Sequence, residues 1–216
     1  AFEGNLENDP NPNIDELVCT YFKSKGIDVD EMLNLRLFFV AQLDDYLRRA
    51  KCLFMIDVLK DFPVEVHGDN WGFADLSNTK LKLVPVCDYE ASKPLIDGAL
   101  GIIDFSPNTS HGFHDRPLRA IGRNTLCLTN QQECFSEVFG ADNEFSFSFN
   151  KENLAGKIAD VLARPQHYVD LGVEVARTYA QHFPAEEAVR TYVEAADLIR
   201  LDDTRANLHS ALFEWQ

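Results

Sequence analysis

The sequence predicts an α/β protein: a doubly wound, mostly parallel, Rossmann-like sheet with helices on both faces. Three observations carry this. Strand-like apolar runs near residues 64–68, 81–86, 100–105, 125–129 and 145–149 alternate with stretches of helical period. The 100–105 and 125–129 runs read as buried strands, the first with the pattern of a central parallel strand covered on both faces. Between those two lies a polar, turn-rich loop that leaves the carboxyl end of a strand and opens a helix, the place where α/β proteins bind ligands.

Taken in order, Ala1-Phe2-Glu3-Gly4-Asn5 reads as a strand end entering a glycine turn. Residues 6–13, rich in Asp, Asn and Pro, read as a loop. Ile14, Leu17, Val18 and Tyr21 have helical spacing, closed by Gly26. Asp28 or Asp30 is then expected to cap a long helical region reaching Lys60, with a break near Ala50. Its apolar positions cover more than one stripe, which predicts packing between two partners. The 64–68 strand ends on Gly68, Asp69-Asn70-Trp71-Gly72 is a loop, and 81–86 is a strand nearer the sheet edge. Asp88 caps a helix over 89–98 that Pro94 is expected to shorten or bend. Gly122 ends a two-turn helix starting at His114, and Gly140 ends another over 131–139. Phe145, Phe147 and Phe149 alternate with serines as a half-buried strand. Helices follow at about 151–163, 165–181 and 184–199, with Pro165 and Pro184 in first-turn positions. Leu208, Leu212, Phe213 and Trp215 form an apolar tail.

The chain has 216 residues and a formal net charge of −15. That charge argues against nucleic acid and against anionic membrane surfaces, since both require a basic face, but it leaves room for a local pocket for a small anion. No apolar run approaches the roughly 20 residues that span a bilayer. No secretory leader is visible, and the abrupt opening at Ala1 is compatible with missing upstream sequence. The five cysteines, Cys19, Cys52, Cys87, Cys127 and Cys134, show neither CxxC nor metal-ligand spacing. They read as reduced core thiols of a cytoplasmic protein. Scattered histidines predict no metal site. There is no GxGxxG after the first strand and no phosphate-cradling P-loop, which disfavours dinucleotide oxidoreductases and P-loop NTPases.

The 106–119 loop and helix start carry the chemistry. Arg116 falls in the first helical turn, with Arg119 one turn on. A cation there opposes the helix dipole unless an anion sits between it and the free N–H groups. His111 and His114 flank Gly112-Phe113, and Gly112 lets backbone approach a ligand. The competing reading is that Asp115 and neighbouring carboxylates satisfy both arginines at the surface.

Several segments together resemble a known family. Ser106-Pro107, His111-Gly112-Phe113, Arg119-Ala120, Gly122 and the strand Leu126-Cys127-Leu128-Thr129 stand in the order of a donor-site hallmark. Val66-His67-Gly68-Asp69-Asn70-Trp71 and Leu83-Val84-Pro85-Val86 before Asp88-Tyr89 add to it, as do Ala1-Phe2-Glu3-Gly4 and Arg116 early in its helix. The pattern resembles the C-terminal, nucleotide-sugar-binding domain of two-domain GT-B glycosyltransferases of the "group 1" type, nearest to the spore-maturation-type branch. The likeness covers about residues 1–200, leaving 201–216 as a tail that would pack on a missing N-terminal domain or a partner chain. It implies a nucleoside-diphosphate sugar as donor substrate and an unidentified acceptor, with no tightly bound cofactor. Asn108, Thr109, His111, Gly112, Phe113, His114, Arg116 and Arg119 would hold the diphosphate and sugar. Gly68 and Val86 would meet the base, and Gly4 and Asn5 would form the loop after the first strand. The chain departs from the family where His111 and Arg119 replace the usual acids. No residue presents itself as a catalytic base. The alternative is a non-catalytic Rossmann-like module that has lost donor chemistry and docks a partner through its tail.

Overall fold

The structure, a computed structural model, describes residues 12–105 and 114–213, without the side chains of Ile199 and of residues 201–213. It divides into two compact units, Ala1–Ala176 and Arg177–Gln216. The first is an α/β unit with parallel strands.

α1 (Ile14–Ser24) starts as its sequence dictates: the Asn13 side chain accepts the Glu16 N–H at 3.2 Å, and Asp15 and Glu16 suit the positive end of the dipole. Gly26, at φ 74°, lets the chain turn away. α2 (Leu33–Leu59) corrects two expectations. Neither Asp28 nor Asp30 caps it. Asp28 accepts the Asp30 N–H at 3.0 Å in a local turn, Asp30 pairs with Arg36 at 2.8 Å, and Met32 stands at the cap without a side-chain bond. Nor does α2 break near Ala50, because residues 33–59 hold no Gly or Pro. Its buried residues all lie from Leu47 onward, whereas Leu33, Leu37 and Phe38 are exposed, so the second packing partner expected for the first half is not among the described residues.

β1 (Glu65–His67) pairs in parallel with β2 (Lys82–Val84), Val66 opposite Leu83. A short 3₁₀ turn, Trp71–Phe73, lies between them. α3 (Tyr89–Gly98) begins where Asp88 accepts the Ala91 N–H at 2.8 Å, and it runs through Pro94 without burying a residue. β3 (Ile102–Asp104), β4 (Cys127–Asn130) and β5 (Ser146–Phe147) form a second parallel sheet in that order. The strands therefore form sheets of two and three members, with no ladder joining β2 to β3 among the described residues. Lys82 and Leu83 are exposed and Pro85 lacks an N–H, so β2 does not offer the covered faces and full ladder of a central strand.

β4 is buried along its length and forms the centre. α4 (Asp115–Ile121) follows β3 and ends at Gly122, and α5 (Glu133–Phe139) ends at Gly140, φ 85°. Phe145, Phe147 and Phe149 are all buried, Phe145 against Phe135 and Phe139 and Phe149 against Phe54. Ser146 is buried too, so the expected half-buried strand is covered on both faces. α6 (Lys151–Ala163) and α7 (Pro165–His182) complete the unit. Gly172 brings α7 onto main chain: a Cβ there would lie 2.7 Å from the Leu126 nitrogen and 2.9 Å from the Asn124 oxygen. α8 (Ala185–Phe213) passes the expected end at 199, since nothing between 185 and 213 is Gly or Pro.

Candidate functional site

Of the residues predicted to form a site, Gly4, Asn5, Asn108, Thr109, His111, Gly112 and Phe113 lie outside the described residues. His114, Arg116 and Arg119 stand at α4, beyond the carboxyl end of β3. Gly68 and Val86 stand beyond the carboxyl ends of β1 and β2.

α4 is fixed by Pro117, Ala120 and Ile121, which are buried on one stripe. Pro117, third in the helix, loses nothing by lacking an N–H, because the first-turn N–H groups have no partner within a helix. With that stripe inward, Arg116 keeps half its side chain in solvent (49%) while reaching back to Asp104, the last residue of β3, which is fully buried (0%). Arg116 Nε lies 2.8 Å from Asp104 Oδ1. The contact is an ion pair rather than an aligned hydrogen bond, for neither Asp104 oxygen has a hydrogen-bond partner among the described residues. Burial pushes the Asp104 carboxyl above its ordinary range, Arg116 and then His114 pull it back, and Asp115 adds to the rise. The guanidinium charge is also felt at Cys52 of α2 and Cys127 of β4, where it opposes the rise that burial imposes on both thiols.

Arg119 behaves differently. Its Nη2 lies 2.7 Å from Asp115 Oδ2, and its guanidinium carbon lies 4.7 Å from the centre of the Tyr89 ring. Lys93 Nζ lies 4.8 Å from the same ring and pairs with Glu90 at 2.8 Å. Asp115 also stands 2.8 Å from His114 Nδ1. Both arginines thus have carboxylate partners: Asp115 for Arg119, as the surface reading expects, but the buried Asp104 for Arg116.

The Gly68 N–H donates to the Val84 carbonyl at 3.1 Å and extends the β1–β2 ladder. Its φ of 137° is open only to glycine at low cost, and the Trp71 indole nitrogen sits 3.6 Å from where a Cβ would stand. Trp71 stacks on Phe73, the packing role that its position over the Gly68 turn predicts. Val86 is exposed, and three residues on, Tyr89 receives Arg119. The cation–ring contact is one link between the start of α3 and α4. A pocket of about 380 Å³ between α2 and residues 74–79, lined by Ile56, Asp57, Asp75 and Thr79 among others, involves none of the predicted site residues.

The sequence reading assigned no site role to Asp104 and did not pair Tyr89 with Arg119. Asp104 was legible: it is the one acid in the apolar run 100–105, at the end of a strand, though β3 stands at the edge of its sheet with Ile102 and Ile103 half-buried, not at the covered centre that the run predicts. Tyr89 entered the sequence reading only as part of the Asp88-Tyr89 helix start in the resemblance, and its contact with Arg119 carried no signal, since it depends on where α3 and α4 meet. No family model, characterised protein or solved structure matches the chain.

Proposed function

We propose that this chain is the donor-binding half of a glycosyltransferase: one doubly wound, Rossmann-like half of a GT-B fold that holds a nucleoside-diphosphate sugar. The acceptor site and catalytic base would come from an N-terminal domain or a partner chain. In the reaction, the bond between the sugar anomeric carbon and the β-phosphate oxygen breaks and a bond to the acceptor oxygen forms. The acceptor proton passes to that base. Arg116 faces the charge that grows on the departing diphosphate, with His114 and Arg119 alongside.

The observation that carries the reading is the anchored guanidinium. Arg116 is held from behind by a fully buried carboxylate at the carboxyl end of a parallel strand and stays half-exposed in front. The solvent-facing half of the guanidinium presents N–H groups of the geometry that phosphate oxygens accept. Val86 is exposed three residues before Tyr89, whose ring Arg119 meets, and on this reading it would face the base.

A second reading, a non-catalytic partner-binding module, has its own observation: Arg116 and Arg119 both already have carboxylate partners, which lowers the net positive charge offered to a phosphate. Calorimetric titration of UDP, GDP and ADP, then their sugars, into wild type and Arg116→Ala separates the two. A charge-assisted hydrogen bond is worth about 1.5–3 kcal/mol, so Arg116→Ala is expected to weaken diphosphate binding roughly 10- to 100-fold. Binding unchanged by the substitution removes the diphosphate from this site, and no binding by any nucleotide selects the partner-binding module.

A further inference from the structure

Asp104 and a bound phosphate would compete for the same guanidinium. While Asp104 is ionised, Arg116 sits 2.8 Å from it, and the pair carries no net charge toward a ligand. The sheet offers Asp104 a second partner. Asp104 is in register with Thr129, and Thr129 with Ser146, so the three side chains share one face in neighbouring strands. All three are buried, and among the described residues the Thr129 and Ser146 hydroxyl oxygens, like both Asp104 oxygens, lack hydrogen-bond partners. An ionised carboxylate is served by Arg116. A neutral carboxylic acid has an O–H to donate, and strands about 4.8 Å apart put the Thr129 hydroxyl within reach of a rotated side chain.

We propose that Asp104 is a positioning residue that gates the anion site, holding Arg116 while ionised and releasing it to a pyrophosphate group on taking up one proton. The proposal rests on the anion reading of Arg116. The step is balanced: one proton comes from solvent to an Asp104 oxygen, the Arg116–Asp104 pair opens, and Arg116 stays protonated and pairs with a phosphate oxygen. Among the described residues, the charged and titratable groups around Asp104 are Arg116 and Asp115 from α4, His114 at its N-cap and Cys127 from β4, with Cys52 of α2 near Arg116. Burial already favours the neutral form of Asp104.

The test titrates inorganic pyrophosphate into the full chain and into Asp104→Asn across a pH series. Pyrophosphate titrates too, so the readout is the ratio of the two affinities. Coupling to one proton makes wild-type affinity gain about tenfold per pH unit of acidification relative to Asp104→Asn, over the range above the Asp104 pKa. Asp104→Asn, with no charge to hold Arg116, is expected to bind tighter than wild type at pH 7. An identical pH dependence for the two proteins overturns the gate and leaves the anion site standing. Absence of pyrophosphate binding to either protein overturns both. Should Asp104→Asn fail to fold, Thr129→Val serves instead. It removes the acceptor for the neutral acid and is expected to weaken pyrophosphate binding and reduce proton uptake, and wild-type values in both measurements would overturn the gate.

Discussion

Replacing Gly172 with alanine puts the packing of α7 to a direct test. In an exposed helix this change gains about 1 kcal/mol, because alanine loses less conformational freedom. At position 172 the added methyl would lie 2.7 Å from the Leu126 nitrogen, 2.9 Å from the Asn124 oxygen and 3.2 Å from the Thr125 carbonyl carbon. All three are main-chain atoms leading into the central strand, so none can rotate aside, and α7 must move. Overpacking of this kind costs about 1–3 kcal/mol, and three main-chain contacts place it at the upper end. The net expectation is a loss of about 1–2 kcal/mol. At about 2–4 °C per kcal/mol for a chain of this size, Tm falls by roughly 2–8 °C. Gly156, in α6, has nothing within 4 Å of an added Cβ, so Gly156→Ala supplies the opposite sign: a gain of about 0.5–1 kcal/mol. Calorimetry and urea unfolding of both variants beside wild type read the pair. Stabilisation by Gly172→Ala would mean that α7 does not rest on the 124–126 main chain.

Two further substitutions probe local physics. Asp88→Ala removes the acceptor for the Ala91 N–H and is expected to lower stability by about 1 kcal/mol, seen as a lower urea midpoint with unchanged slope. Asp57 takes hydrogen bonds from Lys151 and Lys60 that hold its carboxyl down to about 2. A depressed folded-state pKa gives stability that is present above about pH 4 and lost as pH falls toward 2. The groups are partly exposed, so Lys151→Met is expected to cost less than about 1 kcal/mol at pH 7. Its urea midpoint should converge on wild type near pH 2, and a gap that persists there would assign the cost to something other than this pair.

Punctuation was the most legible part of the fold. Gly26, Gly122 and Gly140 end their helices, and Asp88 caps α3, because these depend on one residue and its immediate backbone. The start of α2 was not legible, since Asp28 and Asp30 have the chemistry of caps but are engaged in a local turn and an ion pair with Arg36. The split into two sheets was hidden for a related reason: a three-residue strand such as β2 declares its apolar character but not its neighbours. At the site, the arginines and their helix were readable from spacing. Their partners were not, because Asp104 and Tyr89 reach α4 across the fold, from β3 and α3.

Among the described residues β1–β2 shares no ladder with β3–β4–β5, and α3, which follows β2, is tied to the second sheet by side chains: Arg123 to Asp97, the Thr125 hydroxyl to the Ile96 carbonyl at 3.2 Å, and Arg119 to Tyr89. Such links are individually weak, and α3 contributes no buried residue to them. The segment from β1 through α3 is therefore expected to open before buried β4, with hydrogen exchange of its amides at a lower free energy as the measurement that checks it. A ligand bridging Val86 and Arg116 would join that segment to α4 and slow the opening by mass action, so occupancy would register as protection of amides that the ligand never touches.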